Sequence, residues 1–257
     1  MQSTLERADD WDTHWQAYSE AASSNPAQTM RHELVLALLG QHREDGPHAR
    51  LLDIGCGQGD FLAGARRRNL ATEYAGIELS ESGVAISRAK LPGVDISRVD
   101  LLAPPPEAAR LHGWATAAVC TDVIEHVDDD VAFLSAARRY LAPGGRLVVT
   151  VPGGPISAFD RHIGHRRHYS RERLRRALES AGFTVDRVSR AGFPFFNLYR
   201  VLVIARGRKL IAAVESGAMA GGGRGLEKLA MRGFRFLFRF NRADSWLGWQ
   251  LVALARA

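Results

Sequence analysis

The sequence predicts an α/β fold in which helices cover both faces of a mostly parallel sheet. Three observations predict it. Short apolar runs alternate with segments of helical period between residues 50 and 151, the pattern of strands joined by crossover helices. The first such run, 51–54, ends in glycines at 55, 57 and 59, which suits a tight strand-to-helix turn. After Pro152 the alternation loosens into a loop rich in Gly, His and Arg, and later into a long basic segment, before a last apolar run at 248–255.

Each element follows in order. Trp11, Trp15 and Tyr18 recur at spacings of four and three, and Leu34, Leu36, Leu38 and Leu39 belong to a second helix beyond the break at Asn25-Pro26, so residues 1–47 read as a helical cap. Strands are expected at 51–54, 74–77, 94–99, 115–120 and 146–151, with helices at 61–68, 82–89 and 131–140 between them. Pro143-Gly144-Gly145 stops the last of these helices. Residues 153–169 read as a loop. Ser170 then caps a helix over 171–181, Gly182 ends it, and 183–188 returns to strand. The expected division is a cap at 1–47, a core at 48–191, an insertion at 192–246 and a final core strand at 247–257.

Composition narrows the setting. The chain has 257 residues, 46% of them apolar, enough for one well-formed core. Its two cysteines, Cys56 and Cys120, fall in apolar, strand-like surroundings, so no disulfide framework is expected and a reducing cytoplasm is. The polar, acidic start is no signal peptide, and no run of about 18 apolar residues supports a spanning helix. The net charge is +6 and the pI near 9.8. Between Gly192 and Trp246 there are ten Lys or Arg against three Asp or Glu, a net of +7. That one segment carries the whole excess.

The glycine loop is the strongest chemical signal. Its spacing is GxGxG with Asp53 before it and Asp60 where a dinucleotide-binding GxGxxG loop needs its third glycine. A carboxylate beside the loop is awkward next to a pyrophosphate and suits a ligand carrying cationic groups. S-adenosylmethionine has a sulfonium, an ammonium and no phosphate. Glu78 closes the second strand 25 residues after Asp53, where a carboxylate can accept two hydrogen bonds from a ribose diol.

The stretches LLDIGCGQGDFL, YAGIELS, VCTDVIEHVDDD and LAPGGRLVVTVP resemble the class I S-adenosylmethionine-dependent methyltransferases. DRHIGHRRHYSRERLRRALESAGFTV is similar to the branch related to ubiquinone-type O-methyltransferases. The resemblance covers roughly residues 11–191 and implies a Rossmann-like, seven-stranded sheet whose last strand is antiparallel. It implies that Asp53, Gly55, Gly57 and Gly59 line the donor, that Glu78 takes the ribose hydroxyls with Leu79 against the adenine, and that Asp100 and Leu101 face the adenine amino group. Thr121 and Asp122 are expected near the sulfonium. The implied reaction is transfer of a methyl group, O-directed, to a small hydrophobic, anionic or lipid-linked acceptor.

Removal of a hydroxyl proton needs a base, and histidines titrate near neutrality. His126 follows the fourth strand and His165 lies in the loop after the fifth, both at the sheet edge where α/β proteins bind ligands. They are the expected catalytic residues, with His165 ranked first. Tyr18, Arg166 and Tyr169 are expected to touch the acceptor. No metal is expected, because Arg166 and Arg167 stand among the histidines and oppose a bound cation.

The insertion departs from the minimal pattern. MRGFRFLFRF at 231–240 places Arg232, Arg235 and Arg239 on one helical face among phenylalanines, which suits a membrane-interface helix, a lid over a greasy acceptor, or a homodimer surface. Three other functions stay open. An RNA methyltransferase fits the basic charge but not the aromatic interleaving, so nucleic acid is disfavoured. The others are a donor-binding protein without catalysis and an NAD-dependent reductase.

Overall fold

In the computed structural model the described residues are 11, 12, 15, 25–41, 48–215 and 225–257. The first complete helix is α1 (Pro26–Gln41). It starts at the expected break, where Asn25 Oδ1 accepts the Ala27 N–H at 2.9 Å and Pro26 gives up no needed donor. The core follows as β1 (His48–Ile54), α2 (Asp60–Arg67), β2 (Ala71–Glu78), α3 (Glu81–Lys90), β3 (Asp95–Arg98), β4 (Ala115–Thr121), α4 (Asp130–Arg138) and β5 (Leu141–Pro152). Beyond it come α5 (Ala158–His162), α6 (Arg171–Ser180), β6 (Thr184–Ala191), α7 (Phe195–Glu215), α8 (Gly225–Leu237) and β7 (Gln250–Arg256).

The strands form one seven-stranded sheet in the order β3-β2-β1-β4-β5-β7-β6. The first five are parallel to their neighbours, while β7 runs antiparallel to both β5 and β6. Successive residues of β1 feed opposite faces. Leu52 joins a core layer with Phe133, Leu134, Leu174 and Leu178, while Leu51 joins another with Val35, Leu36 and Leu39 of α1. A strand buried on both faces must be apolar throughout, which is why these strands read as continuous runs rather than alternating ones. All parallel strands end at one edge, so the turns after β1, β2, β4 and β5 converge there.

Two expectations change. The residues Pro143-Gly144-Gly145 lie inside β5, which begins at Leu141 because Leu141 pairs with Ala115 and the chain bulges before Arg146 pairs with Ala117. The expected loop over 153–169 contains α5. Its start is a capping box, with Ser157 Oγ accepting from Asp160 N and Asp160 Oδ2 accepting from Ser157 N. Its sequence signal is a Ser three residues before an acid.

The insertion is helical as expected. Phe196 and Phe238 are buried with Ala27 and Met30 of α1, and Tyr199 and Phe234 pack against them. The cap and the insertion are therefore layered on each other. The glycine-rich tip expected at 218–225 falls almost wholly outside the described residues.

Candidate active site

The donor loop is built by backbone geometry. Gly55, Gly57 and Gly59 have φ of 74°, 52° and 77°, left-handed values that side chains disfavour. At Gly55 a Cβ would stand 2.6 Å from Val123 Cγ2. The amides of Gly55 and Cys56 both donate to Ile77 O, at 2.8 and 3.1 Å, tying the turn to β2.

Glu78 anchors the same turn. Its Oε2 accepts the Gly57 N–H at 2.8 Å, and its Oε1 accepts Ser80 N and Oγ, both at 3.0 Å. Asp53 is 1% exposed, and its Oδ1 has no hydrogen-bond partner. Burial, then the charge of Glu78, pushes its carboxyl up to about 8. An orphaned buried carboxyl oxygen beside a glycine cradle fits a ligand that brings cationic or hydroxyl donors. Leu79 is exposed at 47%, Leu101 is buried, and Asp100 is exposed with its Oδ1 accepting Leu102 N at 2.9 Å. Leu79 and Asp100 follow β2 and β3 at the same edge as Glu78, while Leu101 packs into the core.

Asp12 and Trp15 lie against this cradle. Asp12 accepts Ser82 N at 2.8 Å. The Trp15 ring lies over the loop so closely that a Cβ at Gly57 would meet its Cζ2 at 2.4 Å. Trp11 meets the His126 ring edge-on, centroids 4.7 Å apart. Two tryptophans thus span from the donor loop to the histidines. Their helical spacing was legible, their destination was not. Tyr18 lies outside the described residues.

Thr121 ends β4 and Asp122 follows it. Asp122 has φ 52° and an ion pair with Arg31 of α1. Burial raises its carboxyl, and Arg31 works against the rise. Glu125, close by, is fully buried with neither carboxyl oxygen hydrogen-bonded. Burial and the Asp122 charge push it well above the ordinary range.

Both expected histidines come to this point. The rings of His126 and His165 sit 4.7 Å apart and perpendicular, and His165 Nδ1 lies 3.3 Å from His168 Nε2. Burial, then His126, holds His165 below the ordinary imidazole range, so it is a neutral imidazole. Arg166 and Tyr169 are placed differently from expectation. Arg166 pairs with Asp128. Tyr169 is 4% exposed, and its hydroxyl donates to Asp130 Oδ2 at 2.8 Å and lies 3.1 Å from Ile124 O. A buried phenol set between two acceptors braces the loop against the turn after β4 instead of facing an acceptor molecule.

Two groups have metal-ligand composition, their ligand atoms lying within 4.8 Å of one another: Glu125, His126 and His165, and Asp160, His165 and His168. In the second, the Asp160 carboxylate is already taken up by Ser157 and Arg200. The objection raised from Arg166 and Arg167 loses its force, since they pair with Asp128 and Asp130.

Fold and edge together define a Rossmann-like protein with a glycine loop and an acidic second strand at the edge where such sheets bind ligands. The family described as a methyltransferase domain matches residues 27–188, more than half of the chain, and the protein belongs to it, within the class I S-adenosylmethionine-dependent methyltransferases. A protein of Mycolicibacterium smegmatis named a probable S-adenosylmethionine-dependent methyltransferase is 34% identical over 169 residues, 61% of this chain and 59% of that one. A ubiquinone biosynthesis O-methyltransferase of Xanthomonas oryzae is 34% identical over 120 residues, 46% of this chain and 48% of that one. The chain thus matches about half to three-fifths of these relatives' lengths. Among solved structures, phosphoethanolamine N-methyltransferase 2 of Haemonchus contortus with S-adenosyl-L-methionine has a TM-score of 0.60 at 19% identity, covering 98% of this chain and 58% of that one. That likeness is one of fold.

Proposed function

We propose that this protein binds S-adenosylmethionine across Gly55–Gly59 and transfers its methyl group to a hydroxyl of a small hydrophobic or anionic acceptor. The observation that carries the reading is the convergence, at one sheet edge, of the glycine cradle closed by Glu78 and the cluster of buried Glu125 with half-buried His126 and His165. Asp53 and Glu78 would hold the donor's polar groups, with Leu79, Asp100 and Leu101 on its base and Thr121 and Asp122 toward the sulfonium. Bound there, the donor supplies a methyl on positive sulfur. Its sulfur would leave as a neutral thioether as the methyl goes to the acceptor oxygen, and the hydroxyl proton would pass to His165, with His126 beside it. Alignment is the main contribution of the site, because the thioether leaves uncharged.

The ubiquinone-type relatives support the O-directed reading. Titration calorimetry with S-adenosylmethionine, and release of its thioether product across phenols, sugars, lipid-linked acceptors and RNA, test it. His165→Ala should lower turnover by about 100-fold or more and change donor affinity less than about twofold. Wild-type turnover in that variant overturns the role of His165. Donor binding without turnover on any acceptor supports a binding protein, and activity on RNA supports the macromolecular reading.

A membrane-surface role has its own observation. Leu229, Met231, Phe236 and Phe240 are exposed at 64%, 40%, 56% and 59%, interleaved with Arg232, Arg235 and Arg239. Among the described residues no helix is long and apolar enough to cross a membrane, so any attachment through them is interfacial. Flotation with vesicles rich in anionic lipid should recover the protein at low salt and lose it at high salt. No flotation at low salt removes this role and leaves the lid or dimer surface.

A further inference from the structure

The insertion meets the histidine loop through one buried ion pair. Arg200, on α7, donates from Nη1 to Asp160 Oδ1 at 2.9 Å and from Nη2 to Asp160 Oδ2 at 2.7 Å, a two-pronged match of planar groups. The two side chains are 13% and 1% exposed. Ser157 N and Oγ, each at 2.7 Å, complete the shell of the carboxylate. His168 Nε2 lies 3.8 Å from Asp160 Oδ2, beyond hydrogen-bond reach.

Proton counting then fixes the rings. His168 Nδ1 lies 3.2 Å from Gly154 O, and a carbonyl only accepts, so Nδ1 carries the proton. A neutral imidazole has one N–H, which leaves His168 Nε2 as a lone pair. His165 Nδ1, 3.3 Å away, must donate to it. The single proton of His165 is therefore on Nδ1, and its lone pair is on Nε2, the nitrogen that a proton acceptor needs. Arg200 keeps this order. The fork holds the carboxylate 3.8 Å from His168 Nε2, short of its reach. Without the guanidinium a buried carboxylate takes up a proton. A protonated Asp160, released from the fork, would swing into reach of His168 Nε2 and donate to it. That nitrogen could then no longer accept from His165.

We propose that Arg200, Asp160 and His168 form a positioning chain that fixes His165 as its Nδ1-protonated tautomer, with Nε2 open to the acceptor's proton. The inference rests on His165 as the base proposed above. It also gives the insertion a part in the chemistry, through a residue beyond the matched stretch 27–188.

Nitrogen-15 spectra of histidine-labelled full-length protein, without donor or acceptor, read the tautomers directly, with His165→Ala and His168→Ala used for assignment. Both rings should show a protonated Nδ1 at neutral pH. Arg200→Met should abolish that signature at His165 and lower kcat by about 10- to 100-fold, with donor affinity within about twofold, and Arg200→Lys should restore part of both. If Arg200→Met does not fold, His168→Phe should lose the signature and His168→Gln, whose carbonyl can accept from His165, should keep it. A protonated Nε2 on His165 in the wild type, or an unchanged tautomer in both Arg200→Met and His168→Phe, overturns the chain. If the tautomers are as stated and no acceptor is methylated, the chain stands and the methyl-transfer reading falls. The reverse result separates them the other way.

Discussion

Asp53 and Glu78 lie at the ends of adjacent strands, yet the structure treats them differently. Glu78 is held by three donors from the backbone and Ser80, while one Asp53 oxygen has none. With its carboxyl near 8, Asp53 is mostly protonated at neutral pH in the free protein. A cationic donor favours the carboxylate, so donor binding should release up to about one proton near pH 7. Calorimetry in buffers of different ionisation enthalpy measures this release, and Asp53→Asn should abolish it. Asp53 was legible because its position before a GxGxG loop carries the chemistry. Glu125 was passed over as a site residue, since a single acid before a histidine says nothing about burial.

At the scale of elements, the insertion has two faces with different duties. Phe196 is 3% exposed, its ring 6.0 Å from Phe238 and 6.4 Å from Tyr199. Phe196→Ala should cost about 3–5 kcal/mol in chemical denaturation, because a buried aromatic leaves a cavity that its neighbours only partly fill. Phe236→Ser, on the open face, should leave stability within about 0.5 kcal/mol while weakening any vesicle binding. Equal losses for the two would mean that α8 is packed on both faces. The helical period and the basic stripe were readable in this segment. Which phenylalanines turn inward depends on α1, some 170 residues earlier in the chain, and no local pattern encodes that.

The whole molecule responds to acid through groups buried with their partners. Burial alone would raise the carboxyl of Asp160, but the Arg200 fork and Ser157 outweigh it and hold it down to about 2, against 3.8 when exposed. A folded value below the unfolded one stabilises the fold above about pH 3.8, and the benefit disappears as the pH falls toward 2. The stability gap between the wild type and Asp160→Asn should therefore close by about 2 kcal/mol between about pH 5 and pH 2, as read by denaturant midpoints. A gap that does not change with pH would mean that Asp160 is not charged in the folded protein. His32 works in the same direction at higher pH. Burial, then Arg31, keeps it down to about 4 against 6.5, so stability falls as the pH drops through that window.

The sequence by itself determined the parallel sheet, the glycine turn after its first strand and the carboxylate that closes it, because each rests on short-range signals: continuous apolar runs, glycines at alternate positions, an acid at a strand end. It also brought His126 and His165 to the sheet edge, since the order of strands and turns dictates which loops converge there. Only the tertiary structure decided what surrounds them. Asp160 and Arg200 are 40 residues apart, Tyr169 turns inward to Asp130, and Trp15 reaches back over Gly57. Such contacts are set by how helices pack on a finished sheet, and packing depends on shape and burial across the whole chain.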